Sequence, residues 1–239
     1  MKYSIQVNSL SKYFGKFAAL KNISFNLPHK GFFGLLGTNG AGKTTLIGIL
    51  LGLVKPTFGE VRILEHNIEN EKNFFLNKIN FESPYVDLPK KLTVKQNLIF
   101  YSKLYGVKNP KDKISYLCKA LKIENLLDKK FGSLSSGQKT KVGICKSLVN
   151  EPKLLLLDEP TASLDPDTSL FVRKFLIRYQ QNNNMCILIA SHNMMEVEEI
   201  CQSVIILNKG EILMRGSPLE LVKTNNCKNL EELFIEIGK

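Results

Sequence analysis

The sequence predicts an α/β fold with a mostly parallel sheet, an N-terminal antiparallel β layer and an inserted helical subdomain, and three observations predict it. Apolar runs such as Leu154-Leu155-Leu156-Leu157 and Cys186-Ile187-Leu188-Ile189-Ala190 suit parallel strands buried on both faces. Earlier segments alternate apolar and polar residues, as half-exposed antiparallel strands do. Between Leu92 and Asp128 the apolar period changes from that of a strand to that of a helix.

Tyr3-Ser4-Ile5-Gln6-Val7 and Ile23-Ser24-Phe25-Asn26-Leu27 are the alternating strands, the second ended by Pro28. Phe32-Phe33-Gly34-Leu35-Leu36 is a buried strand, and Thr45-Leu46-Ile47-Gly48-Ile49-Leu50-Leu51 is apolar nearly all round, as a buried helix is. Pro56-Thr57-Phe58-Gly59-Glu60 makes a turn before the strand Val61-Arg62-Ile63-Leu64, and a further strand ends near Phe81. Leu98, Tyr101, Ser102 and Tyr105 mark one helical face, and Ile114, Leu117, Cys118 and Leu121 mark another. Val204-Ile205-Ile206-Leu207 returns to the parallel pattern. There is no internal repeat and no low-complexity linker, so residues 1–239 are expected to form a single domain with a helical subdomain at about 83–150.

Between the Phe32–Leu36 strand and the helix lies Gly37-Thr38-Asn39-Gly40-Ala41-Gly42-Lys43-Thr44-Thr45, which fits G-x-x-x-x-G-K-[ST] in the strand–loop–helix context the motif needs. Glycines let successive backbone N–H groups converge on phosphate oxygens without Cβ atoms in the way. Lys43 supplies a mobile cation for the β- and γ-phosphates, and the Thr44 hydroxyl is placed to ligate Mg²⁺. The helix adds its positive N-terminal end. This is the loop of a P-loop NTPase core. Asp158 and Glu159 emerge at the carboxyl end of the leucine strand, and Pro160 stops that strand. Asp158 suits the magnesium shell and Glu159 the polarisation of an attacking water. His192 follows another strand end, where a neutral imidazole can donate to a γ-phosphate.

Composition sets outer limits. The chain has 239 residues and is 44% hydrophobic, enough for one large α/β domain. No run approaches the ~18 uninterrupted apolar residues of a membrane span, and Met1-Lys2-Tyr3-Ser4 is not a secretory signal, so a soluble protein on the cytoplasmic side is expected. Five scattered cysteines without C-x-x-C spacing are expected to be reduced, semi-buried thiols. A net charge of +11 could serve nucleic acid, an anionic leaflet or solubility; dispersed lysines without an arginine-dense helix or aromatic stacking run favour solubility. No nucleic-acid partner is expected.

Leu134-Ser135-Ser136-Gly137-Gln138 is a small polar loop leading into a basic, apolar-striped stretch, lying in the chain between the phosphate loop and the acidic strand end. In the order Gly37 to Thr45, Leu134 to Gln138, Leu154 to Glu159, Ser163-Leu164-Asp165 and Ser191-His192, the chain resembles ATP-binding-cassette (ABC) ATPases over nearly its whole length. The resemblance implies that Gly37 to Thr45 is the Walker A loop, Asp158 the Walker B aspartate, Glu159 the catalytic base, Asp165 the D-loop residue and His192 the switch histidine. It implies that Ser135, Ser136, Gly137 and Gln138 act in trans, Ser135 and Gly137 contacting the γ-phosphate on another subunit. Phe14 sits where the family places an aromatic on adenine, with Tyr13 or Phe17 able to serve after a small shift. ATP and Mg²⁺ are the implied cofactors.

Two positions depart from the family pattern. Ser136 replaces the first glycine of the signature, which should tune rather than inactivate it. The Q-loop glutamine is missing, and Glu82 is the nearest candidate for that magnesium-facing, partner-sensing position. A separate membrane-spanning permease subunit and a second ABC ATPase subunit, in a homodimer or heterodimer, are the implied partners. The permease would be contacted by the helical insertion and by the segment from Glu82 to Lys91, holding the protein peripherally at the cytoplasmic face of the membrane. The stretch from Ser83 to Leu104 and the tail Leu230-Glu231-Glu232-Leu233-Phe234 resemble exporter-type subunits. A soluble ABC ATPase acting on nucleic acid or the ribosome is the alternative.

Overall fold

We describe residues 2–162 and 164–238 of a computed structural model of the protein. In chain order the elements are β1 (Tyr3–Phe14), β2 (Phe17–Pro28), β3 (Gly31–Gly37), α1 (Lys43–Leu50), β4 (Phe58–Ile63), β5 (His66–Asn67), α2 (Lys72–Phe75) and β6 (Ile79–Glu82). They continue as α3 (Val94–Leu104), α4 (Pro110–Leu121), α5 (Ser136–Leu148), β7 (Leu154–Asp158), α6 (Pro166–Asn183), β8 (Cys186–Ala190) and α7 (Met194–Ile200). The chain closes with β9 (Ser203–Asn208), β10 (Glu211–Gly216), α8 (Pro218–Thr224) and α9 (Leu230–Gly238). Among the described residues no helix is long and apolar enough to cross a membrane.

The larger sheet has the order β10-β9-β3-β8-β7-β6, parallel throughout except for β10 against β9. The smaller, antiparallel sheet has the order β2-β1-β4-β5. Side-chain alternation explains why the parallel strands are apolar at nearly every position. Leu155 and Leu157 enter one core with Ile187, Ile189, Val204 and Ile206. Leu154 and Leu156 enter the other with Leu188, Ala190, Ile205 and Leu207. A strand facing two cores has no solvent side on which to place a polar residue.

The antiparallel sheet and α1 cover one face, burying Ile5, Val7, Phe25 and Leu46. Helices α3 to α9 contribute to the other, so the inserted helices share a core with the sheet. The four residues expected on the second helical face, Ile114, Leu117, Cys118 and Leu121, are all buried. Helix α3 starts with a reciprocal cap in which Gln96 N–H donates to Thr93 Oγ1 and Thr93 N–H donates to Gln96 Oε1, satisfying two end donors at once.

Strands β1 and β2 run well beyond the short alternating segments expected from the sequence. Register shifts between Val7 and Leu10 and between Leu10 and Lys12 break the period of two, with Ser9 at φ 48°, so alternation alone cannot reveal the continuation. The cysteines are more buried than expected, Cys227 alone being partly exposed, and two of them meet: Cys118 and Cys145 have sulfurs 4.0 Å apart between α4 and α5.

Leu156 is fully buried between β-layer and sheet. Leu156→Ala should lower unfolding stability by about 2–5 kcal/mol in urea titration, from lost burial plus a residual cavity. A change within ~0.5 kcal/mol, as at a surface site, would contradict this packing.

Candidate functional site

Register in the large sheet brings the chemistry together. Leu35 of β3 and Asp158 of β7 both pair with Ala190 of β8, so the three strands end side by side. The phosphate loop, Glu159 and His192 therefore leave the sheet at one carboxyl edge, where open α/β sheets bind ligands. A cleft of about 610 Å³ there is lined by Gly37, Thr38, Asn39, Lys43, Thr44, Asp158, Glu159 and His192.

Helix α1 begins inside the loop, behind Gly42 at φ 110°. A Cβ on Gly42 would lie 2.7 Å from the Ala19 carbonyl oxygen of β2, so only glycine meets both the conformation and the close approach. The Lys43 ammonium donates to the carbonyls of Gly37 at 2.7 Å and Thr38 at 3.3 Å. Burial lowers the Lys43 pKa, with Glu159 and Asp158 acting against the shift. Asp158 is moved the other way: burial raises its carboxyl, Glu159 adds to the rise, and Lys43 opposes it.

Glu159 adopts φ 53°, a left-handed conformation costing about 1–2 kcal/mol for a residue with a Cβ. Its N–H donates to the Ala190 carbonyl at 2.8 Å, which holds the turn against β8. Its Oε1 lies 2.8 Å from His192 Nδ1. Behind them, buried Glu196 accepts a 2.6 Å hydrogen bond from Thr161 Oγ1, tying the turn after β7 to α7.

The donor set fits a nucleotide phosphate and its magnesium. Gly40, at φ 80°, has open space where a Cβ would stand, α1 carries no acidic residue in its first turn, and the exposed Thr44 lines the same cleft as Asp158 and Glu159.

Other expected site residues lie elsewhere. Ser135 and Gln138 cap α5: Gln138 N–H donates to Ser135 Oγ at 3.3 Å and Ser135 N–H to Gln138 Oε1 at 3.1 Å. The segment expected as a loop thus becomes helix at Ser136, and Ser135 to Gln138 are not among the residues lining the cleft. Asp165 caps α6 by accepting from Thr168 N–H at 2.9 Å, and that bond lowers its pKa; Ser163 falls outside the described residues. Phe14, Tyr13 and Phe17 sit exposed at the tip of the β1–β2 hairpin, with Lys12 Nζ 4.8 Å from the centroid of the Phe14 ring.

Glu82 corrects an expectation. It does not line the cleft with Lys43 and Asp158; it is buried against α5, 3.2 Å from Lys146 Nζ. Sequence reasoning also missed Tyr85, Met194, Glu231, Phe234 and Ile235, which complete the cleft lining. Their placement follows from loop course and from the packing of α9 on α7 and α8, for which no local pattern is a signal.

Residues 20–162 match the family described as "ABC transporter". The chain is 32% identical to the bacitracin transport ATP-binding protein of Bacillus licheniformis, covering 97% of this chain and 75% of that one. It is 30% identical to a Nod factor export ATP-binding protein of a Rhizobium species, covering 98% and 77%. Relatives named for import match as well. Among solved structures it resembles cbiO1 from Clostridium perfringens, part of the ABC transporter complex cbiONQ, with a TM-score of 0.84 and 30% identity over 94% of this chain and 92% of that one. With a phosphate loop, two carboxylates and a histidine gathered at one sheet edge, the chain belongs to the ABC transporter family, as an ATP-binding subunit with ATPase activity.

Proposed function

We propose that the chain works as half of a composite ATPase in an exporter, closing with a second cassette around two ATP molecules and driving a separate membrane-spanning permease. The observation that carries this is the division of the motifs: Lys43, Thr44, Asp158, Glu159 and His192 share one cleft, and the Ser135–Gln138 signature caps a helix whose first turn does not line it. A signature without a phosphate of its own fits a site completed across a head-to-tail pair.

In this reading Lys43 and the loop amides from Gly37 to Thr45 hold the β- and γ-phosphates, and Phe14 stacks on adenine. Thr44 and Asp158 would hold Mg²⁺, which supplies charge neutralisation at the transferring phosphoryl group. Glu159 takes a proton as water attacks the γ-phosphorus and the bond to the bridging oxygen of ADP breaks. His192, with Nδ1 2.8 Å from Glu159 Oε1, faces the same site and donates its one imidazole proton toward the γ-phosphate. Ser135 and Gly137 of the neighbour contact the same phosphate, and Asp165 lies at the junction between the two copies. Loss of the γ-phosphate removes what bridges the copies, so they part.

Residues 1–239 act as one domain, with 83–150 as the helical subdomain; the core shared by α3 to α5 and the sheet supports this. Phe100 and Leu104 are exposed on α3 and support contact of the helical side with a permease loop, which would hold the protein peripherally at the cytoplasmic face of the membrane. The Nod factor export relative supports export as the direction.

Glu159→Gln should cut hydrolysis by about 10²-fold or more while preserving ATP binding, and sedimentation in saturating Mg-ATP should show a dimer. Monomer alone under those conditions would sink the composite site. Ser135→Arg should leave nucleotide binding to the isolated chain intact and abolish hydrolysis. Mixing it with Lys43→Ala chains should restore part of the activity, since one of the two sites in the mixed pair is whole; no recovery would count against the trans assignment.

A further inference from the structure

Glu82 is the last residue of β6, and its side chain is 7% exposed. Two positions on α5, one helical turn apart, receive it. A Cβ on Gly143 would overlap the Glu82 carboxylate and stand 2.5 Å from its Cδ, so the carboxylate occupies the space that any other residue at 143 would need. Lys146 Nζ lies 3.2 Å from Glu82 Oε2 and donates to the Phe81 carbonyl at 2.9 Å. The last two residues of β6 are therefore gripped by a single side chain of α5.

Such a pair is a poor device for stability alone. Burial raises the Glu82 carboxyl to about 7 even with Lys146 acting against the shift, and Oε2, buried 3.2 Å from Lys146 Nζ, accepts no hydrogen bond. An apolar contact there would cost less, whereas an ion pair fixes where two elements sit relative to each other. The two elements are informative ones. Helix α5 starts at the Ser135 cap, and β6 leads into the segment from Ser83 to Lys91; Ser136 and Lys139 face Pro84 and Val86 across a cleft of about 230 Å³.

We propose that Glu82 is a positioning residue which, through Lys146 and the space left by Gly143, sets the orientation of the signature helix relative to β6 and the segment that follows it. Glu82, the nearest candidate for the Q-loop position, thus acts on the signature of its own subunit, not on magnesium. The proposal rests on the reading that Ser135 serves a neighbour's ATP.

The test combines Glu82→Ala, Gly143→Ala and the double variant, each also made in a Glu159→Gln background. Gly143→Ala should expel the carboxylate, weaken the ATP-dependent dimer by about tenfold and lower kcat similarly. ATP affinity of the monomer, read with a fluorescent nucleotide, and the Mg²⁺ concentration for half-maximal activity should change by less than about twofold. The double variant should be no worse than Glu82→Ala alone, because the added methyl fills vacated space; it also keeps the test alive where Gly143→Ala folds poorly. Additive losses, unchanged dimer affinity in Glu82→Ala, or a tenfold rise in Mg²⁺ requirement restored at saturating Mg²⁺ would each overturn the proposal. Failure of the trans reading is distinguishable: mixed Ser135→Arg and Lys43→Ala chains would stay inactive while the coupling between positions 82 and 143 persisted.

Discussion

Everything in the site depends on the in-register ending of β3, β8 and β7. Leu35, Ala190 and Asp158 stand in one row, so a phosphate loop, a histidine and two carboxylates that are far apart in the chain share one edge. Backbone pairing fixes that row, and the two cores fix the pairing: a slip of one residue would exchange every side chain between them. In β7 a slip would still leave leucine on both faces, so register there rests on the strand's end, where the half-buried Asp158 follows four buried leucines.

On that edge the chain stores local cost. Glu159 sits at positive φ, Asp158 and Lys43 are shifted toward their neutral forms by burial, and Glu196 keeps an unpaired oxygen behind them. Burial there disfavours charge on Asp158 and Lys43, while each opposes the other's shift. The signature helix is treated differently. Its N-terminus is exposed, and Ser135 and Gln138 satisfy two of its backbone N–H groups with a reciprocal cap.

Much of this was legible in the sequence where chemistry and local pattern coincide. The phosphate loop lies between an all-apolar strand and an apolar helix, and Asp158-Glu159 ends a leucine run, so both announce their place. The helical faces of α3 and α4 carry a clear period. Bulges hid the full length of β1, and α6 is a weak signal because Val172, Leu176 and Tyr179 are diluted by polar neighbours. The direction of Glu82 was not legible at all. It depends on a glycine and a lysine in a helix far along the chain, and neither residue type is informative until the fold places it against β6.

The central claim, that two copies complete each other's site, is most directly tested by a cross-link between the two halves. Asn39→Cys on the phosphate loop and Ser135→Cys at the signature, placed on separate chains and mixed, should form an intermolecular disulfide only when Mg-ATP is present. A yield independent of nucleotide, or no link between chains that bind ATP normally, would contradict the account.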